Sequence, residues 1–256
     1  MGEIMLPILV SLGPVKIYSY GVMMAIGLFL SLYFWWKMGR DEHFDEIALF
    51  DGFFLSVITY LISGRAGYVV LHTDAVGTVY RSLAILAYPG INTVIGLVGV
   101  VIFMILFARS QNWDEWKVVD AMVVSLTMAL LFGSIGAVLN GTNPIWQVNA
   151  YGAIWAFITF LVVSRVRKNF RFYAWYKAGS SMAQEGLATL IFLMAIGIYY
   201  VGVSFLDQLN WKISIIPGET IVGVVIMAIS GYLISRRVGR RENTLWGKLS
   251  NIIRRK

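Results

Sequence analysis

The sequence predicts an all-α, polytopic membrane protein of seven transmembrane helices, with its N-terminus outside and its C-terminus in the cytoplasm. Three observations lead there. Of the 256 residues, 58% are hydrophobic and 14% charged, and several apolar stretches reach the length of about 20 residues that a helix needs to cross a bilayer. The basic residues divide very unevenly between the two sides that those stretches define. A single one, Arg65, falls inside a span.

The spans run over residues 18–36, 47–71, 90–108, 118–139, 148–163, 186–206 and 220–235. The first follows Gly13-Pro14 and stops at Lys37, and the second lies between Glu46 and His72. The third opens after Pro89 and ends before Arg109, and the fourth lies between Lys117 and Asn140. The fifth stops short of Arg165, the sixth sits between Glu185 and Asp207, and the seventh between Glu219 and Arg236. No cleavable signal peptide is expected, because residues 1–15 lack a basic n-region. The first span then acts as an uncleaved insertion signal.

Lys16, Arg81 and Lys212 fall on the N-terminal side, against 17 basic residues on the other. That split follows the positive-inside rule and sets the predicted orientation. The net charge of +7 is accordingly a membrane signal and not a nucleic-acid footprint, since eight basic groups against the lone acid Glu242 lie from Arg236 onward. Residues 1–241 are expected to form the membrane domain. In residues 242–256, Leu245, Trp246, Leu249, Ile252 and Ile253 share one helical face, which predicts a basic amphipathic helix on the anionic inner leaflet; a frayed, solvated tail is the alternative. Residues 79–88 read as an interfacial arm on the outer side. No internal repeat, low-complexity tract or soluble domain is evident. The chain has no cysteine, and its two histidines, His43 and His72, lack metal-ligand spacing. Neither a metal nor a cofactor is expected.

The polar residues inside the spans are few. Asp51 and Asp120 lie near the cytoplasmic ends of their helices, where an interfacial partner makes a carboxylate affordable. Arg65 lies deep in the second span, about 21 Å along the helix axis from Asp51 at about 1.5 Å per residue, so its partner is a phosphate or another helix. Tyr68 and His72 follow on the same face. An Arg–Tyr–His stripe suits an anionic headgroup, with the guanidinium forked onto phosphate. The other reading is an ordinary interfacial belt of aromatic residues.

Ser11-Leu12-Gly13-Pro14-Val15 with Tyr18-Ser19-Tyr20-Gly21, then Gly64-Arg65-Ala66-Gly67-Tyr68, Gly96-Leu97-Val98-Gly99, Val118-Val119-Asp120, Gly133-Ser134-Ile135-Gly136 and Asn140-Gly141 occur in that order. The combination resembles the prolipoprotein diacylglyceryl transferase family, from about Ser11 to Arg241. The resemblance implies seven helices with an outer arm and head in the bacterial cytoplasmic membrane, and a site that opens laterally to lipid. It implies transfer of the diacylglyceryl group of phosphatidylglycerol to the thiol of a lipobox cysteine in a preprolipoprotein, with release of glycerol phosphate. Tyr20, Arg65, Tyr68, Asn140 and Gly141 match family positions and become candidates for binding lipid or phosphate.

Other positions depart from the family. Val94 stands where the family opens its third span with His-Gly-Gly. In the signature Gly-Arg-x-Gly-Asn-Phe-x-Asn-Gly-Glu, the Arg, first Asn and Glu become Ser134, Ala137 and Thr142. In the sixth span the family's Tyr and Arg align with Ile196 and Tyr200. Displacing a phosphate ester requires cations for the phosphate and a base for the incoming thiol. These departures imply a family member that keeps the scaffold and lipid cavity with catalysis impaired or lost, and that binds lipid or lipoprotein signal segments. Two alternatives stand beside it: an active transferase rebuilt around Tyr20, Tyr200 or His72, and, more distantly, a small-molecule transporter, for which repeats and broken helices are the expected marks. Asn140-Gly141-Thr142 also matches a glycosylation acceptor, against which a backbone turn is the simpler reading.

Overall fold

A computed structural model describes residues 6–13, 15–73, 90–141, 146–176, 185–206, 212–213, 216–217 and 220–235. The expected arm over 79–88, the tail over 242–256 and Thr142 lie outside the described residues. Those described are mostly helical: α1 Ser19–Asp41, α2 Glu46–Leu71, α3 Thr93–Ser110, α4 Glu115–Asn140, α5 Trp146–Tyr176, α6 Leu187–Leu206 and α7 Thr220–Ser235. The first six are long and apolar enough to cross a membrane, and α7 is apolar but shorter. The chain is a multi-pass membrane protein. Every stretch read from the sequence is a helix, and the largest displaced end is that of α5. It continues to Tyr176 through Arg165, Arg167, Lys168 and Arg171. Those charges end the apolar window and not the helix, because Arg and Lys are good helix formers.

Two short hairpins correct the all-α expectation. β1 (Ile8–Leu12) pairs antiparallel with β2 (Val15–Tyr18), with Ser11 opposite Lys16. Gly13 turns the chain with φ 61°, a left-handed value that glycine adopts without steric cost. β3 (Lys212–Ile213) pairs with β4 (Ile216–Pro217) in the same sense. Strands this short display too few residues for alternation to be read.

The chain divides into two compact units, Met1–Ser31 with Val123–Lys256, and Leu32–Met122. In the first, Leu6 N–H donates to Leu139 O at 3.0 Å and Ser19 N–H to Pro7 O at 3.1 Å, fastening the β1–β2 hairpin to α1 and to the end of α4. Ser31 and Ser125 face each other in the apolar interior, their Oγ atoms 2.7 Å apart, and each hydroxyl reaches the other residue's carbonyl. A Ser31→Ala, Ser125→Ala double-mutant cycle is expected to show a coupling of about 1 kcal/mol in detergent unfolding, the scale of hydrogen bonds between membrane helices. A coupling near zero would make the pair a spectator.

In the second unit, Trp35, Leu49, Phe53, Met104, Ala108, Val118 and Ala121 form a buried cluster. Trp35 Nε1 donates to Leu49 O at 2.7 Å, so the indole brings its one polar group to a partner within that core.

The expectation that no repeat is present is overturned. A shift of 69 residues lays 26–71 over 95–140 without a gap, with 13 of the 46 pairs identical. Among them are Gly27/Gly96, Arg40/Arg109, Asp45/Asp114, Asp51/Asp120, Gly64/Gly133 and Gly67/Gly136. The backbone repeats as well. α2 and α4 are each 26 residues long, and His43 and Asn112 share positive φ values of 62° and 56°. Phe44 N–H donates to Gly39 O at 3.0 Å, as Trp113 N–H donates to Ala108 O at 2.8 Å. Asp45 caps α2 at Ala48 N–H, and Asp114 caps α4 at Trp116 and Lys117 N–H. Phe44 stacks on Trp113, its own counterpart, at 4.4 Å and 9°. Two further counterpart pairs, Trp35/Met104 and Leu49/Val118, share the buried cluster. The hairpins α1–α2 and α3–α4 are two copies of one unit. Most apolar positions exchange between them, so the repeat is clearest in caps, turns and glycines and is faint as a string of letters.

Candidate lipid site and uncharged cavity

Arg65 sits where α2 meets the start of α3. Glycines make that approach possible: a Cβ at Gly64 would lie 2.6 Å from Ile91 Cγ2, and one at Gly67 would lie 2.5 Å from Ile95 Cδ1. Asn92 closes the junction by donating its N–H to Gly64 O at 2.9 Å and capping α3 through its side chain at Ile95 N–H. Arg65 is 6% exposed. Its Nη1 donates to Gly90 O at 3.0 Å, and its guanidinium lies 5.6 Å from the Tyr68 ring centroid. Gly90 rests against the face of that ring, leaving no room for a Cβ. Tyr68 stacks on His72 at 4.3 Å and 19°, and His72 Nδ1 lies 3.1 Å from the Tyr68 carbonyl. The predicted stripe is therefore a contiguous column. The arginine is buried within protein, with a backbone carbonyl as one partner and an aromatic face as another, a setting in which a membrane arginine is tolerated.

The remaining candidates occupy the first unit, apart from Val94. Tyr20 packs on Gly136, where a Cβ would meet its Cδ2 at 3.1 Å. Asn140 ends α4, and Gly141 follows with φ 63°, the left-handed turn that closes many helices. Val94, in the first turn of α3, is 59% exposed and points away from the packed face made by Gly96. Ser134 and Ile196 do come together. With Thr127, Trp155, Thr159 and Tyr199 they line a cavity of about 120 Å³ between α4, α5 and α6. Tyr200 stands beside it, edge-on to Tyr199 at 5.8 Å. None of the lining residues carries a charge.

Sequence reasoning missed Tyr199, Thr127, Thr159 and Gly152. Tyr199 stacks face to face on Tyr151 at 5.5 Å and 7°. Trp155 Nε1 donates to Ala195 O at 2.8 Å, joining α5 to α6. Ser134 Oγ and Tyr199 Oη both pack against Gly152, lying 3.2 and 3.4 Å from the point where a Cβ there would sit. The signal available in the sequence was the scatter of hydroxyls within apolar spans, which attention to charged residues passes over.

The model of the prolipoprotein diacylglyceryl transferase family matches residues 7–236. The chain belongs to this family. It is 29% identical over 139 residues to the phosphatidylglycerol–prolipoprotein diacylglyceryl transferase of Clostridium tetani (strain Massachusetts / E88), covering 54% of this chain and 55% of that one. To the Agrobacterium fabrum (strain C58 / ATCC 33970) protein of the same name it is 28% identical over 246 residues, or 90% of this chain and 76% of that one. A Clostridium perfringens (strain 13 / Type A) protein, phosphatidylglycerol–prolipoprotein diacylglyceryl transferase 2, is 26% identical over 130 residues, 49% of each. The chain spans about half the length of the Clostridium relatives it matches. Its two hairpins, at 13 identities in 46, resemble each other about as closely as the whole resembles its family.

Proposed function

We propose that this chain is a lipid-binding or lipoprotein-signal-binding member of the prolipoprotein diacylglyceryl transferase family, held in the bacterial cytoplasmic membrane by seven spans, N-out, with its transferase centre disabled. The observation that carries this reading is the cavity at Ser134 and Ile196, whose lining is wholly uncharged. Transfer from phosphatidylglycerol needs fixed positive charge where the phosphate leaves, and a base at the thiol. Hydroxyls and an indole supply neither. Arg65, whose Nη1 donates to Gly90 O, remains the anion-recognition candidate, because a planar guanidinium matches phosphate geometry.

The names borne by the relatives favour the second reading, an active phosphatidylglycerol–prolipoprotein diacylglyceryl transferase working through Arg65 with Tyr20, Tyr200 or His72. A transporter gains one mark from the repeat and lacks the other, because each of the six long helices is continuous.

Two measurements test the proposal. Arg65→Gln is expected to lose most co-purified anionic phospholipid, while Arg40→Gln, whose guanidinium lies over the Trp36 ring, keeps it. Equal retention would remove Arg65 from the lipid site. A reporter fused after Lys256 is expected on the cytoplasmic side and one inserted beside Asn143 on the outer side, and the reverse would overturn the span count.

A further inference from the structure

The repeat pairs Arg65 with Ser134, and Gly64 and Gly67 with Gly133 and Gly136. Three of these glycines, Gly64, Gly67 and Gly136, sit at close approaches of a neighbouring segment. In the first copy they admit the start of α3. In the second, Tyr20 and Met23 of α1 lie against Gly136, and Met24 Sδ is 3.5 Å from a Gly133 Cβ. What differs is the polar side chain between them. The first copy seats a guanidinium that donates to a carbonyl of its own chain. The second has a serine, beside which a cavity of about 120 Å³ opens.

We propose that this cavity is a recognition site for an uncharged carboxylic ester, the acyl-ester group of a neutral glycerolipid. This deepens the lipid-binding reading above and rests on it. Ser134 Oγ and Tyr199 Oη both flank Gly152, each within 3.4 Å of where a Cβ on that residue would sit, and both residues line the cavity. Such a pair answers an acceptor oxygen. The lining carries no charge, so an ionised phosphate or carboxylate would be buried without a counter-ion, a cost that a neutral carbonyl avoids. The size agrees: an apolar cavity of about 150 Å³ admits benzene, so 120 Å³ suits an ester and the first carbons of its chain. Trp155, Phe192 and Ile196 supply the apolar walls for those carbons. Thr127 Oγ1 donates to Val124 O at 2.7 Å, so its proton is committed within its own helix, and Thr159 adds a further hydroxyl to the lining.

The test uses the full chain in nanodiscs and three photoactivatable lipids of equal chain length: a diacylglycerol, the matching dialkylglycerol ether without carbonyls, and a phosphatidylglycerol. Labelled peptides are read by mass spectrometry. Labelling of the α4, α5 and α6 segments around the cavity is expected to be at least fivefold stronger for the diacylglycerol than for the ether probe. The Ser134→Ala, Tyr199→Phe double variant, which keeps the ring stack on Tyr151, is expected to fall to the ether level with its unfolding midpoint unchanged. Equal labelling by ester and ether, or undiminished labelling of the double variant, would overturn the proposal. Phosphatidylglycerol labelling these segments more strongly than diacylglycerol would overturn its uncharged character. Thioether formation, assayed on the same preparation, reports separately on the disabled-transferase reading.

Discussion

Restoring the family's groups together, by Val94→His, Ser134→Arg, Ala137→Asn and Tyr200→Arg, is expected to raise thioether formation on a lipobox peptide at least tenfold above background, with every single reversion at background. The first requirement is space. Ser134 opens on a cavity of about 120 Å³, so an arginine there has volume to occupy. Ala137 is one turn further along α4, and Tyr200 lies one turn along α6 from Ile196, which lines the same cavity. The second requirement is collective action, because residues that work as a unit are strongly non-additive and one restored charge has no partner to act with. A fully folded quadruple variant that stays at background would show that these four departures are not what separates this chain from its relatives in chemistry.

Trp35→Ala is expected to be the most damaging single core substitution, lowering stability by about 3–5 kcal/mol, the range for emptying a buried tryptophan site. Trp35 is 2% exposed, is surrounded by the cluster of Leu49, Met104 and Val118, and its indole donates to Leu49 O. Trp35→Phe should cost less than half as much, since it keeps most of the ring and loses the hydrogen bond. Reversible unfolding in mixed micelles measures both. An alanine variant within 1 kcal/mol of the parent would contradict the packing described for the second unit.

The spans were legible because a bilayer demands long apolar runs, and nothing subtler is needed to find Glu46–Leu71 or Leu187–Leu206. The Arg65 column was legible for a related reason: an arginine among apolar neighbours stands out, and the spacing of Tyr68 and His72 follows from helix geometry. Its carbonyl partner was not, because Gly90 lies 25 residues further along the chain. The hydroxyl pair of Ser134 and Tyr199 was hidden differently. Each is unremarkable along its own helix, and only the packing of α4, α5 and α6 brings both against Gly152. The repeat was present in the letters throughout, carried by Asp45/Asp114, Gly64/Gly133 and Gly67/Gly136. It became plain only when His43 and Asn112 proved to share a rare backbone conformation.

The central claim, that this family scaffold holds lipid without performing the transfer, is tested most directly by the unmodified protein itself. Purified, and supplied with phosphatidylglycerol and a lipobox peptide, it is expected to give less than about one thousandth of the thioether product formed by an active relative at equal concentration, since each missing preorganised charge costs about two to three orders of magnitude. Robust turnover that Arg65→Ala or Tyr20→Phe abolishes would contradict the account and show a working reaction centre built from the residues this chain retains.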